Sequence, residues 1–152
     1  MPVAHLSQGC LFVHSGLLPE WAELGLDGLD ALAREEWRDG GGGLWTLPRN
    51  GLFRGVDSPL WDRSLVQGGG AARRKLLRSL QLLGAERMII GHTQTASLRG
   101  GQAGRVQLVA GGKLVAVDVG LKSGEDTPRG ALIIEECRGY EWTPARTRLL
   151  WR

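Results

Sequence analysis

Cysteines are few in this sequence, and long apolar segments are absent. The two cysteines, Cys10 and Cys137, are too few for a disulfide framework. Each stands at the end of an apolar run, so we predict two small buried side chains in a reducing compartment, with a disulfide between them as the alternative. No apolar run approaches the ~20 residues that cross a bilayer, and no signal peptide is recognisable at the start. These absences predict a cytoplasmic protein without a membrane partner.

Lysine is scarce as well, since 16 of the 19 basic residues are arginine. Together with 24 glycines, this usage is typical of a GC-rich coding sequence. The net charge is +3, but no basic stripe with interleaved aromatic residues occurs, so no nucleic-acid partner is predicted. A length of 152 residues with 42% hydrophobic content predicts one globular domain over residues 1–152.

The apolar pattern predicts an α/β protein in which helices precede hairpins. A buried strand at 10–13 is followed by helical spacing from 19 to about 38, where two glycines favour two short helices over one. The clearest helix spans 71–83 with Gly84 as its C-cap, and a buried strand follows at 87–90. Helix, short turn and strand in this order predict an α/β fold with a mixed sheet.

Turn residues divide the rest of the chain. Proline and glycine make residues 44–70 loop-like. Paired turn residues then predict two hairpins, the first around Gly111-Gly112 and the second around Arg138-Gly139. About six strands are expected in all. The first hairpin joins strands 102–110 and 113–119, and the second joins strands 131–137 and 140–143.

Two of the three histidines, His14 and His92, follow apolar runs and have a glycine close by. Ligands of open α/β sheets bind outside the carboxyl ends of the strands, and imidazole is the commonest metal-ligating side chain. We therefore predict that both histidines converge within about 5 Å of a common point, as ligands of one ion. The alternative for each is a histidine held by structural hydrogen bonds. His5 is assigned to an unstructured start.

Arg63 and Asp118 are two further candidates. Arg63 follows Pro59 and Trp61, which could hold its guanidinium over an oxyanion, although a solvated loop arginine is the alternative. Asp118 is either a neighbour of the site or a turn carboxylate. The sequence contains neither a P-loop nor a nucleophile elbow, so no catalytic residue is assigned.

Four segments in order resemble motifs of the calcineurin-like metallophosphoesterases. The resemblance is to the phosphoprotein phosphatase branch, and within it to the Shewanella-like phosphatases. It runs from about residue 10 to residue 136. Leu11–Leu17 is similar to the family's VHGGL motif, Ser58–Arg63 to PLWYR, Ile90–Thr93 to GHT, and Val117–Leu121 to IDVGL.

This resemblance implies an αββα sandwich around two divalent metal ions, which are Mn, Fe or Zn. It implies that His14 and His92 ligate the second metal and that Arg63 holds the substrate phosphate. Gln94 stands where nuclease and diesterase relatives carry a further histidine, which favours the phosphatase branch. The implied partner is a phosphorylated protein or a small phosphomonoester.

The motifs of the family's first half do not occur in this sequence, so the likeness is to a C-terminal half. Those motifs, GDxHG, GDxxDRG and GNHE, carry the carboxylates and the general-acid histidine. Two-metal catalysis needs ions about 3.5–4 Å apart, which two imidazoles cannot hold. We therefore expect at most one weakly bound metal, and an exposed apolar sheet face that a partner or self-association would cover.

Three functions remain open at this point. In the first, the chain belongs to a serine/threonine-type protein phosphatase that hydrolyses a phosphomonoester with metal-bound hydroxide, and has little or no activity alone. In the second, it is a pseudophosphatase or interaction module without catalysis. In the third, it is a non-enzymatic α/β chain with structural histidines.

Overall fold

A computed structural model describes residues 2–41, 43–120 and 129–152. Its larger sheet has the spatial order β1-β2-β3-β5-β4, with β2, β3 and β5 parallel and the two edge strands antiparallel to their neighbours. This mixed sheet with its helices confirms the predicted α/β class. Its strands are β1 (Ala4–Ser7), β2 (Cys10–Val13), β3 (Arg87–Ile90), β4 (Gln107–Val109) and β5 (Leu114–Ala116).

Helices cover one face of this sheet. Gly25 has a left-handed backbone (φ 68°) and separates two helices, as the glycine content of this segment predicted. Gly84 is the predicted left-handed C-cap of the helix Gly70–Leu83 (φ 64°, ψ 26°). The helices are α1 (Pro19–Ala22), α2 (Gly25–Asp39), α3 (Ser64–Gln67) and α4 (Gly70–Leu83).

Successive side chains of each strand point to opposite faces of the sheet, and both faces are apolar. Leu11, Met88 and Leu114 are fully buried on the face that the helices cover. Cys10 and Val115 point to the opposite face. Because both faces are apolar, the central strands read as continuous hydrophobic runs, which is typical of parallel strands.

A second, antiparallel sheet packs against part of that opposite face. It consists of β6 (Ala131–Glu135), β7 (Arg138–Thr143) and β8 (Arg146–Trp151) in that order. Its apolar contacts with the larger sheet come from Leu132, Ile134, Leu150 and Trp151.

The hairpin between β6 and β7 is present, but its turn lies at Glu136-Cys137 and not around Arg138-Gly139, which belongs to β7. Cys137 is therefore exposed in this turn, not buried at a strand end as predicted. Glu136 and Cys137 both have positive φ (49° and 64°), as a two-residue turn with the twist of a hairpin requires. Cys10 is buried as predicted, and both thiols are free.

The other differences concern short or weakly apolar segments. His5 lies on β1 opposite Phe12, so its assignment to an unstructured start is wrong. The predicted loop contains a 3₁₀ turn at Leu44–Thr46 and the short α3. β8 was not predicted, and β4 and β5 are shorter than expected. Within the ranges that the structure describes, no helix combines the length and apolarity that crossing a bilayer requires.

Candidate functional site

The neighbouring parallel strands β2 and β3 bring His14 and His92 to the same edge of the sheet. Gly91 N donates to His14 O at 3.0 Å, and a Cβ on Gly91 would lie 3.5 Å from that oxygen. The imidazoles meet edge to face with ring centroids 4.9 Å apart. Nε2 of His14 lies 3.1 Å from Nδ1 of His92. Two histidines that are 78 residues apart in sequence thus form one cluster.

His92 holds an unusual backbone conformation at this edge. Its φ is 57°, in the left-handed region that costs a side-chain-bearing residue roughly 1–2 kcal/mol. The turn around it is tight, since Thr93 N donates to Gly91 O at 2.6 Å. This conformation turns the imidazole toward His14. Strained residues of this kind concentrate at functional sites.

Arg63 reaches the same cluster from the segment after α2. Its Nη2 lies 3.4 Å from Nε2 of His92, although the side chain is otherwise exposed. Two bonds from Ser15 hold this segment against the end of β2: Ser15 N donates to Pro59 O at 3.0 Å, and the Ser15 hydroxyl donates to Asp62 O. The guanidinium is therefore placed beside the histidines by the fold.

Asp62 is a site residue to which the sequence analysis gave no role, whereas Trp61 was expected to position Arg63. The buried Asp62 carboxylate accepts from Ser64 N at 3.0 Å and from Ser64 Oγ at 2.6 Å, which fixes the start of α3 next to Arg63. The Trp61 ring stands nearly perpendicular to His92, with centroids 5.4 Å apart. Its Nε1 donates to Phe53 O at 2.7 Å, so the indole is anchored. Their position directly before Arg63 was the available signal.

The electrostatics around His92 favour its neutral imidazole. Burial lowers the pKa of His92, and the neighbouring His14 and Arg63 lower it further, against the opposing effect of Asp118. Neutral imidazole is the form that binds metal. The carboxylate of Asp118 accepts a hydrogen bond from Gly120 N at 3.1 Å. This is the role of a turn carboxylate, the second of the two roles that the sequence allowed.

The 3.1 Å between the two ring nitrogens is a hydrogen-bond distance, which was the alternative for both histidines, and it also fits shared ligation of one ion. Nitrogens that are each about 2.1 Å from a tetrahedral or octahedral ion lie about 3.0–3.4 Å apart, and the observed separation of His14 Nε2 and His92 Nδ1 is 3.1 Å. Among the residues that the structure describes, however, no group of three or more His, Cys, Asp or Glu side chains could hold a metal. The described part of the chain thus brings two histidine ring nitrogens together without a carboxylate that could bridge two ions.

Gln94 is exposed just before the 3₁₀ turn at Thr95–Ser97, and a Cβ on Gly120 would be 4.0 Å from its amide carbon. Leu121, the last residue of the fourth segment, lies outside the described residues.

Gly16→Ala is expected to destabilise the protein and displace Asp62. A Cβ at this position would lie 2.5 Å from Oδ2 of Asp62 and 3.5 Å from a methyl of Leu65. Such overpacking costs about 1–3 kcal/mol, measurable by urea unfolding. Gly70→Ala is the matched control, because its Cβ would meet only Nη1 of Arg74 at 3.6 Å. Equal stability of the two variants would contradict the described packing around Gly16.

No protein-family model matches this chain, and no curated protein does. Solved structures of phosphatases do match. A cold-active protein tyrosine phosphatase has a TM-score of 0.69 at 24% identity, over 93% of this chain and 40% of that chain. The protein-tyrosine phosphatase of a psychrophilic Shewanella species has a TM-score of 0.68 at 25% identity, over the same shares of 93% and 40%.

A point mutant of a cold-active protein tyrosine phosphatase matches equally well, with a TM-score of 0.69 at 25% identity. The chain spans 40% of the length of each of these structures. Its fold is therefore that of two fifths of a phosphatase, and a phosphatase relationship is supported.

Proposed function

We propose that His14, His92 and Arg63 form part of the metal and phosphate site of a metal-dependent phosphomonoesterase of the calcineurin-like type. The convergence of the two ring nitrogens at 3.1 Å with a guanidinium nitrogen at 3.4 Å carries this proposal. Proteins that share the fold are protein tyrosine phosphatases, which supports phosphoester chemistry. The proposed substrate is a phosphorylated protein or a small phosphomonoester.

Each residue has a distinct role in this proposal. His14 Nε2 and His92 Nδ1 bind one divalent ion, Mn, Fe or Zn, which would polarise a phosphoryl oxygen. Arg63 binds the phosphate through its planar fork of donors. In the metal-free arrangement Arg63 donates toward Nε2 of His92. Ligation at Nδ1 therefore requires the ring proton of His92 to sit on Nε2, with Arg63 turned to the anion.

The proposed ligand set predicts weak metal binding and slow hydrolysis for this chain alone. Two neutral nitrogens leave most of the coordination shell to water, and a second dication next to the first would need a bridging carboxylate. We therefore expect at most one ion, bound weakly, and slow hydrolysis at best.

Arg63→Gln is expected to weaken binding of methylphosphonate, a phosphate-ester analogue that resists hydrolysis, to the Mn²⁺-loaded protein by about 10–100-fold. This range corresponds to the roughly 1.5–3 kcal/mol of a hydrogen bond to a charged group. Calorimetry measures it. Arg78→Gln on the exposed face of α4 is the matched control and should bind like the unchanged protein. An equal loss of methylphosphonate affinity in both variants would show that Arg63 contributes only general surface charge.

A second candidate is a pseudophosphatase or interaction module, favoured by the lack of a three-ligand group in the described ranges. Hydrolysis of a chromogenic phosphomonoester in excess Mn²⁺ separates the two candidates. We expect slow turnover above background that His92→Ala abolishes, since the ion would lose one of its two protein ligands. Turnover indistinguishable from that of His92→Ala would favour the module.

A further inference from the structure

Two hairpin turns, one from each sheet, lie against each other at the start of β2, the end of that strand away from His14. The turn between β1 and β2 is Gln8-Gly9, and the turn between β6 and β7 is Glu136-Cys137. All four turn residues have positive φ, between 49° and 72°. Cys137 N donates to Oε1 of Gln8 at 3.0 Å, which joins the smaller sheet to the larger one across 129 residues of sequence.

Each of these turns places one cysteine at the contact between the sheets. Cys10 is the first residue after the Gln8-Gly9 turn and is 2% exposed, in the apolar cluster between the sheets. Cys137 is exposed, and its carbonyl oxygen accepts from Nε1 of Trp151 at 3.1 Å. The Trp151 side chain packs against the same apolar cluster that contains Cys10. A buried thiol and an exposed thiol from distant parts of the sequence are thus brought to one contact.

Arg87 gives this contact a positive charge. It is the partner of Cys10 across β2 and β3, and its guanidinium lies 5.0 Å over the Trp151 ring. Nε of Arg87 is buried and has no hydrogen-bond partner among the described residues. Burial raises the pKa of the Cys10 thiol, and the charge of Arg87 opposes that increase. The charges of Glu86 and Cys137 raise the pKa of Cys10 further, so the two thiols are near enough to interact electrostatically.

We propose that Cys10 and Cys137 form a reversible disulfide by exchange with a low-molecular-weight disulfide such as oxidised glutathione. The exposed Cys137 thiolate attacks one sulfur of the reagent, the S–S bond of the reagent breaks, and one thiolate leaves. The Cys10 thiolate, favoured by the charge of Arg87, then attacks Sγ of Cys137 and expels the second thiolate. The two protein thiols are oxidised, and the reagent is reduced to two thiols that take up the two protons.

This disulfide links the smaller sheet covalently to β2. The bond needs β-carbons about 3.5–4.5 Å apart, and the short exposed turn that carries Cys137 is the part that moves to close it. The reduced form is stable too, because the Cys10 thiol packs among apolar side chains as a small hydrophobic group. A pair whose reduced form is well accommodated is readily reduced again. The inference is independent of the proposed function, since Cys10 starts β2 whereas His14 follows its end.

The experiment treats the folded chain with excess oxidised glutathione, blocks the remaining thiols with iodoacetamide, and maps the products by mass spectrometry. We expect a monomer with a Cys10–Cys137 crosslink that dithiothreitol reverses. Its melting temperature should exceed that of the reduced chain by at least about 5 °C. Cys10→Ala, which keeps a small apolar side chain, should stop with one glutathione on Cys137. Cys137→Ala should leave the buried Cys10 unmodified.

A comparison of the closing step in buffer and in urea tests whether the fold brings the thiols together. In urea the same bond has to close a long disordered loop, so closure from the mixed disulfide should be at least about tenfold faster in buffer. Equal or slower closure in buffer, an unchanged chain that stays at the mixed disulfide, or disulfide-linked dimers would overturn the proposal. Glutathione on Cys10 of the Cys137→Ala variant would also contradict it, since Cys10 would then react without its partner.

Discussion

Glu141→Ala is expected to lower the free energy of unfolding by about 1.5–3 kcal/mol, the range for losing a hydrogen bond to a charged group. Glu141 lies on β7 and is 1% exposed. Its carboxylate accepts from Nε and Nη2 of Arg105 at 2.9 and 2.6 Å, from Val106 N at 2.9 Å, and lies 3.1 Å from Nη2 of Arg148. Removing it leaves Val106 N without its acceptor and loosens the smaller sheet from β4.

Urea unfolding of Glu141→Ala measures this loss, and Glu135→Ala is the matched control. Glu135 lies on the neighbouring strand β6 but is exposed, so its replacement should change stability by no more than about 0.5 kcal/mol. A loss of stability for Glu141→Ala within that same range would contradict the stabilising role of the buried Glu141 carboxylate.

The hydrogen bonds of the Glu141 carboxylate also make the stability of the fold depend on pH. Hydrogen bonds from Arg105 hold the pKa of Glu141 below its ordinary value, assisted by Val106 N and by the charge of Arg148, against the opposing effect of burial. Because the folded pKa is the lower one, the stabilisation is complete above the unfolded pKa of about 4.3 and is lost as pH falls through the folded pKa. Glu141→Gln should remove this acid-dependent component from the stability profile.

His92→Ala is expected to abolish measurable Mn²⁺ or Zn²⁺ binding by this chain. The proposed ion has two protein ligands, and losing one leaves a single imidazole, as any surface histidine offers. Even the loss of a group that only orients a ligand costs 10–100-fold in metal affinity, so we expect a decrease of at least 100-fold. Titration calorimetry measures it on the unchanged chain and on each variant.

His5→Ala is the control for this prediction, because His5 and His14 line the same pocket but His5 is outside the pair of ring nitrogens that are 3.1 Å apart. It should bind metal like the unchanged chain. If His5→Ala loses as much affinity as His92→Ala, the metal is held by scattered histidines and not by the cluster.

The parts of the fold that were predictable are those in which local pattern and tertiary packing agree. The runs at 10–13 and 87–90 are buried on both faces, so nearly every residue is apolar. The stop of α4 at Gly84 needed only the conformational freedom of glycine. In contrast, Ala4–Ser7 is four residues long with alternating polarity, and Arg146–Trp151 begins with polar residues that face solvent. Both segments become strands because they pair with a neighbouring strand, and the local sequence pattern carries no information about that neighbour.

The candidate site divides along the same line. The ends of two apolar runs indicated where His14 and His92 would lie, because parallel strands end at one edge. The position of Arg63 depends on Ser15 binding the backbone of Pro59 and Asp62, which are contacts across more than 40 residues of sequence. No spacing rule connects those segments. The left-handed backbone of His92 was equally invisible, since it is a non-glycine residue in a region that usually calls for glycine.

The most direct measurement is a Zn²⁺ titration followed by ¹⁵N NMR of the histidine ring nitrogens. If His14 and His92 share one ion, Nε2 of His14 and Nδ1 of His92 should change together along one binding curve for a single site, while both nitrogens of His5 stay unchanged. Independent changes at the two histidines, or no change at either with Zn²⁺ in the millimolar range, would contradict a shared metal site.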